Sequence, residues 1–277
     1  MSIPSVFHFV FGLKKQTEPF HLMHYLCLES CLQVNDPDEI RFYYHHEPYG
    51  KYWAAIRDRI TCVRVAPPKR ISIFRYGLRN RDGWKYRYAH QSDYLRLDKL
   101  IEHGGVYADM DTLFLNPIQK RLFAEPFVLG QEGDVRCQRT GELRASLCNA
   151  FIMSERQSEF AVLWRQEMEE AFDGSWSRHS TFLPYDLSQR FPDLIHVEPA
   201  RTFYKHMWTR QGIHTLFEGL DADFTEVSSF HLWSHLWWEE SRRDFCDFHA
   251  GLLNEAYVRE ADTTYALAAR RYLPGLE

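Results

Sequence analysis

Short runs of apolar, β-branched and aromatic residues alternate along the chain with longer segments whose apolar positions recur at helical spacing, the pattern of strands joined by crossover helices. The first predicted strand is Val6 to Phe11, ended by Gly12. A helix follows from about Pro19 to Gln33, with Leu22, Leu26 and Leu32 near one face. A second strand reads Ile40 to Tyr44, a helix lies around Trp53 to Arg59, and a third strand covers Thr61 to Val65 before Pro67-Pro68 breaks the pattern. Lys69 to Trp84 is polar and Arg-rich, and reads as a long loop. From Tyr88 to His103, Tyr94, Leu97, Leu100 and Ile101 mark a helix, and Gly104-Gly105 supplies the left-handed residue that commonly ends one. Val106, Tyr107 and Ala108 then form a strand leading into Asp109-Met110-Asp111 and on through Leu113, Phe114 and Leu115 to Asn116-Pro117. Further along, the period predicts strands at Phe127 to Gln131 and Asn149 to Met153, a helix from Glu159 to Phe172, and a terminal helix from about Leu252 to Tyr272. The expectation is an α/β fold over residues 1–277 as one domain, without internal repeats.

Composition narrows the function classes. Forty-five per cent of the 277 residues are hydrophobic, enough for a sizeable core. A net charge of −5, with Lys and Arg scattered, lacks the basic stripe that a phosphate backbone attracts, so nucleic acid is not an expected partner. The six cysteines, Cys27, Cys31, Cys62, Cys137, Cys148 and Cys246, show no C-x-x-C spacing, and the chain opens without a cleavable leader pattern, which fits reduced thiols and a cytoplasmic protein. The early apolar run Ile3 to Leu13 is far shorter than the roughly 20 residues of a membrane span. Peripheral association with a membrane face stays open.

The chemistry concentrates around two carboxylates one residue apart. Asp109 and Asp111 follow a buried strand at the carboxyl edge of the sheet, where open α/β sheets bind ligands. A Mg2+ or Mn2+ site on a diphosphate substrate needs one or two protein carboxylates, with phosphate oxygens and waters completing the octahedron. Alternation along an extended chain would point both side chains the same way. A D-x-D triplet alone is also compatible with a solvated turn. The preceding helix adds Ser92, Asp93 and Arg96; Asp93 and Arg96 are three apart and so share a face, as do many exposed ion pairs of about 0–1 kcal/mol.

The string "YAHQSDYLRLDKLIEHGGVYADMDTLFLNPI" resembles the sugar-binding region of family 32 glycosyltransferases and the glucosylating domain of large clostridial toxins, whose pattern S-D-x-x-R, then G-G-x-Y-x-D-x-D, stands here as Ser92-Asp93, Arg96, Gly104-Gly105, Tyr107, Asp109 and Asp111. "IPSVFHFVFG" is similar to the family's I-P-K-x-I-H-x-x-W strand, with Phe11 in place of Trp, and "FHLWS" resembles its later H-x-W segment. The resemblance implies a GT-A-type, Rossmann-like domain with a mostly parallel central sheet flanked by helices. It implies a metal-dependent, retaining transferase that moves a hexose from a nucleotide-sugar donor, UDP-hexose or GDP-hexose, to a glycan or other hydroxyl acceptor, in surface polysaccharide or glycan synthesis. Carried over residue by residue, Asp111 is the main ligand of Mn2+ or Mg2+, and Asp109 bridges metal-bound water and sugar or ribose hydroxyls. Asp93 and Arg96, with Ser92 and Tyr107, fix the donor, and Phe11 packs on the base. Asn149 lines the cleft, and His231 approaches the metal, with His235 as its rival. Two alternatives remain. A non-catalytic sugar-binding module would use the aromatic residues only for recognition. A haloacid dehalogenase-type phosphatase has the motif D-x-D-x-T-L, but here Thr112 comes one residue early.

Overall fold

The computed structural model describes residues 2–77 and 83–274, and its elements follow the alternation of the sequence closely in the amino-terminal half. In chain order they are β1 (Val6–Phe11), α1 (Leu22–Asn35), β2 (Glu39–Tyr44), α2 (Lys51–Ile56), β3 (Thr61–Arg64), α3 (Lys69–Ile73), α4 (Arg87–His103), β4 (Gly105–Ala108), β5 (Thr112–Phe114), β6 (Phe127–Arg136) and β7 (Leu143–Ser154). Then come α5 (Glu159–Ala171), α6 (Leu183–Arg190), β8 (His196–Glu198), α7 (Ala200–Tyr204), α8 (Arg210–Phe217), β9 (Ser229–His231), α9 (Glu255–Glu260) and α10 (Thr264–Ala269).

The central sheet has the order β3-β2-β1-β4-β7-β6-β8. β3, β2, β1 and β4 run parallel, β7 is antiparallel to both β4 and β6, and β8 is parallel to β6. This is the α/β architecture with a mostly parallel sheet that the periodicity and the resemblance imply. Alternate residues of the inner strands feed two cores, as expected for a sheet covered on both faces. Phe7, Phe9, Phe42, Val106 and Phe151 pack on one side against α1, α2 and the carboxyl-terminal helices; Val10, Tyr43, Tyr107, Leu129 and Ile152 pack on the other against α4, α5 and α6.

Local chemistry sets the boundaries. α1 begins at Leu22 rather than Pro19 because the His21 imidazole accepts the Met23 N–H and caps it. α4 stops at Gly104, φ +69°, and the next residue, Gly105, sits at φ +108°, where a Cβ would come within 2.2 Å of the Val6 carbonyl oxygen. Only glycine allows the chain to turn there and enter the sheet directly beside β1.

Three expectations need correction. The run after Ala108 is not one strand: the chain turns at Asp109, and β5 leaves the central sheet to pair antiparallel with β9. The expected loop from Lys69 opens with a helical turn, α3, whose Ile71 is buried; its residues 78–82 lie outside the described residues. The terminal helix is broken in two, because Ala261 is extended and Thr263 caps a new start by accepting the Ala266 N–H. No helix among the described residues is long and apolar enough to cross a membrane.

Candidate active site

The two carboxylates converge because of a turn, not through alternation along a strand. The Thr112 N–H reaches back to the Asp109 carbonyl at 3.1 Å, which redirects the chain out of the central sheet. In the register of β5 on β9, Thr112 lies opposite His231, so His231 is set beside Asp111. Beyond β9 the Leu232 N–H bonds the Asp111 carbonyl at 2.8 Å. Trp233 then takes a left-handed conformation, φ +55°, and the Ser234 N–H turns back onto Asp111 Oδ2 at 2.8 Å.

The result is a cluster of two carboxylates and an imidazole. His231 Nε2 lies 3.0 Å from Asp111 Oδ1 and 3.6 Å from Asp109 Oδ2, and one ligand atom from each residue falls within 4.8 Å of the others. Burial alone would lower the His231 pKa, but the charges of Asp111 and Asp109 outweigh it and raise it to about 9. Burial alone would raise that of Asp111, yet His231 and the Ser234 hydrogen bonds hold it well below the usual carboxylate range. Neither ring nitrogen of the buried His231 makes a well-formed hydrogen bond. Two carboxylate oxygens and an imidazole nitrogen converging in this way could together hold a divalent cation.

A second layer holds Asp109 in place. The Tyr107 hydroxyl donates to Asp109 Oδ1 at 2.5 Å, and the Arg96 guanidinium lies 3.3 Å from the same oxygen and 4.5 Å from the centre of the Tyr107 ring. Arg96 also donates to the Asn149 carbonyl at 2.5 Å and pairs with Asp93 at 3.2 Å. Asp93 is saturated: Oδ1 also accepts from the Asn149 side chain at 2.8 Å, and Oδ2 faces His179 Nε2 at 2.9 Å. Ser92 Oγ reaches the Tyr107 hydroxyl at 3.2 Å. Ser92, Asp93, Arg96, Tyr107 and Asn149 therefore meet in one network. The side chains of Asp93 and Arg96 are only 8% and 5% exposed, whereas that of Asp109 is 27% exposed.

The remaining sequence candidates lie nearby. Phe11, at the end of β1, packs edge-on to Phe20 and 4.6 Å from the His24 ring, and His24 stacks on Trp238. Phe11 thus adjoins the carboxylates through His24 rather than touching them. On the same edge of the sheet, an open hollow of about 410 Å³ is lined in part by Lys15, Tyr44, His45, His46 and Arg64. His235 does not join the cluster with His231; its ring packs against Trp176 at 5.1 Å, and burial lowers its pKa to about 4.

Sequence reasoning missed His24, His179, Ser234 and Glu132. Ser234 acts through its backbone N–H, which no side-chain pattern records. His179 lies in a π-helical turn, Arg178–Phe182, with no period to mark it. Glu132, near His231, accepts from Ser146 at 3.1 Å, and burial of its carboxyl pushes it up to about 7.

Residues 33–128 match the family described as "Glycosyltransferase sugar-binding region containing DXD motif". The segment carries Ser92, Asp93, Arg96, Tyr107, Asp109 and Asp111; Asn149, His179 and His231 lie beyond it. Glucan organizing enzyme 1 of Cryptococcus neoformans var. grubii serotype A is 31% identical over 243 residues, covering 85% of this chain and 64% of that protein. The chain thus spans just under two thirds of that relative's length. Among solved structures, the PaToxG glycosyltransferase superimposes with a TM-score of 0.45 at 15% identity, over 69% of this chain and 71% of that one.

Proposed function

We propose that the chain is a metal-dependent glycosyltransferase that moves a hexose from a nucleoside-diphosphate donor to an acceptor hydroxyl, a reading supported by the match of residues 33–128 to the sugar-binding region of DXD-containing glycosyltransferases. The observation that carries this reading is the convergence of Asp109, Asp111 and His231 on one point at the carboxyl edge of the sheet. In the reaction, the bond from the anomeric carbon to the diphosphate breaks and a bond to the acceptor oxygen forms. The acceptor proton leaves to the diphosphate or to solvent, and resemblance to the family favours retention of configuration.

A divalent cation, Mn2+ or Mg2+, held by Asp111, Asp109 and His231, would offset the negative charge that builds on the departing diphosphate. The protein's part is positioning. Asp111 is fixed by the Ser234 N–H and so presents a carboxylate of set orientation. Asp109, held from behind by Tyr107 and Arg96, turns its exposed edge toward the donor hydroxyls. The network of Asp93, Arg96, Asn149 and His179 gives Asp109 a rigid, buried backing, the condition for a preorganised site. Phe11 and the hollow beyond it offer a place for the base of a UDP or GDP donor. A glycan acceptor and a role in polysaccharide synthesis are supported by the relative named as a glucan organizing enzyme. The six cysteines are all free, which supports a reducing, cytoplasmic setting.

The test is incubation with MnCl2 and a panel of UDP- and GDP-hexoses, with nucleotide release as the readout, for the wild type and a folded Asp111→Asn variant. Metal-stimulated release by the wild type and none by the variant is the expected result. Wild-type-like release from the variant would defeat the proposal, and donor binding without release under any acceptor would leave a sugar-binding module.

A further inference from the structure

Beside the carboxylates lies a group of aromatic rings that the mechanism above does not use. Trp176 packs against His235 with ring centres 5.1 Å apart and planes inclined by 32°, and Tyr86 meets Trp176 edge-on at 5.4 Å. Trp176, His235 and Tyr86 are half-buried, and Tyr88, in the first turn of α4, is 42% exposed.

The pair is tied to the reacting centre from both sides. His235 directly follows Ser234, whose N–H holds Asp111. The Trp176 carbonyl accepts from Ser180 Oγ at 2.6 Å, in the π-helical turn that also carries His179 to Asp93. Tyr88 lies close enough to Asp111 and Glu239 that their charges add to burial in raising its phenol pKa. Through His235 and Tyr88 the group of rings therefore adjoins Asp111.

Among the described residues, the polar ring atoms of Trp176 and His235 have no hydrogen-bond partner. Flat faces with polar atoms at the ring edges match a pyranose, which has an apolar C–H face bounded by hydroxyls. An acyl chain would leave those polar ring atoms unpaired. A peptide acceptor bound by strand addition needs an exposed sheet edge, and β9, the strand next to this corner, is buried throughout.

We propose that Trp176, His235, Tyr86 and Tyr88 form the acceptor subsite and that the acceptor is a carbohydrate chain, one sugar ring of which lies on the Trp176 face with its hydroxyls toward His235. This rests on the glycosyltransferase reading for the word acceptor, but the carbohydrate-binding shelf stands or falls by itself.

The experiment offers maltohexaose, laminarihexaose, mannohexaose and a serine-rich peptide to the wild type, Trp176→Ala, Trp176→Phe and His235→Ala, with Mn2+ and the donor that the wild type turns over. One oligosaccharide is expected to be glycosylated and the peptide not. Trp176→Ala should raise the KM for that acceptor about tenfold, the scale of one lost ring contact, and Trp176→Phe should restore most of it. Release of nucleotide into water, which needs only the donor half of the site, should change far less. His235→Ala should shift the acceptor KM in the same direction, and it decides the matter should Trp176→Ala fail to fold.

An unchanged acceptor KM in both Trp176→Ala and His235→Ala, or a peptide accepted as well as the sugars, overturns the proposal. If the wild type releases no nucleotide from any donor, the transferase reading fails instead. The shelf is then judged by quenching of tryptophan fluorescence with the three hexaoses, compared between wild type and Trp176→Ala; no difference overturns it.

Discussion

His231 Nε2 stands 3.0 Å from Asp111 Oδ1, and the strand pair that carries them is closed just beyond by the Leu232 N–H on the Asp111 carbonyl at 2.8 Å. The imidazole and the carboxylate are thus fixed by backbone before any ion arrives. In Asp111→Asn the amide oxygen can still accept the Ser234 N–H while the charge is gone. Affinity for Mn2+ should fall by more than about 100-fold with the circular dichroism unchanged, since even the loss of groups that merely orient ligands costs 10–100-fold. Titration calorimetry checks this, and Mn2+ binding of wild-type strength would remove Asp111 from the ligand set.

Metal binding should depend on pH through His231, whose pKa is raised to about 9 by the two carboxylates. In the metal-free protein the imidazole is protonated below that value. This contributes stability that is fully present below the unfolded value of about 6.5 and is lost as pH rises through 9. A metal must displace that proton, so its apparent affinity should rise by up to about tenfold per pH unit at pH values below 9 and then level off. Calorimetry in buffers of different ionisation enthalpy should find close to one proton released per Mn2+ at pH 7 in wild type. His231→Ala should release none from this group, and equal release in both would exclude His231.

Tyr107→Phe isolates the support behind Asp109. The ring that packs under the Arg96 guanidinium stays, and only the hydroxyl that donates to Asp109 Oδ1 is removed. Stability should fall by about 1.5–3 kcal/mol, the range for one hydrogen bond to a charged group. Donor turnover should fall several-fold with little change in donor KM, because Asp109 is then less well aligned when charge develops. A pure loss in KM would instead place Tyr107 in ground-state binding.

The amino-terminal half of the fold was legible because its punctuation is local. Gly12, Gly104-Gly105 and Pro67-Pro68 mark ends, and the strands between are short apolar runs. The candidate site was legible where a short stretch supplies it: Asp109 and Asp111 are separated by Met110 alone, and Asp93 and Arg96 sit at i, i+3 on α4. What escaped depends on long-range pairing. β5 looks like a continuation of β4, and only its pairing with β9 shows that it belongs to a second sheet. His179 meets Asp93 through an irregular turn, and Ser234 uses its backbone, so neither has a sequence signal. The terminal helix failed for a local reason, since a capping threonine interrupts an otherwise helical period.

Acid should destabilise the protein through its buried neutral histidines. Burial lowers the pKa of His8 to about 4, of His24 to about 3 and of His90 to about 4. The His8 imidazole is wedged between the Tyr43 hydroxyl at 3.1 Å and the Gly104 carbonyl at 2.7 Å, at the point where α4 turns into β4. An unfolded histidine takes up a proton near pH 6.5, while these folded ones do not until about pH 4 or below. The unfolded state therefore binds more protons in that window, and stability is complete above pH 6.5 and is lost as pH falls. Each such group contributes a slope of at most about 1.4 kcal/mol per pH unit. Urea unfolding at pH 7.5, 6.0 and 5.0 should show the decline. His8→Gln removes one titrating group, so its stability should lie below that of wild type at pH 7.5 and the gap should narrow toward pH 5. A gap that stays constant across the range would mean that His8 is not held neutral in the native state.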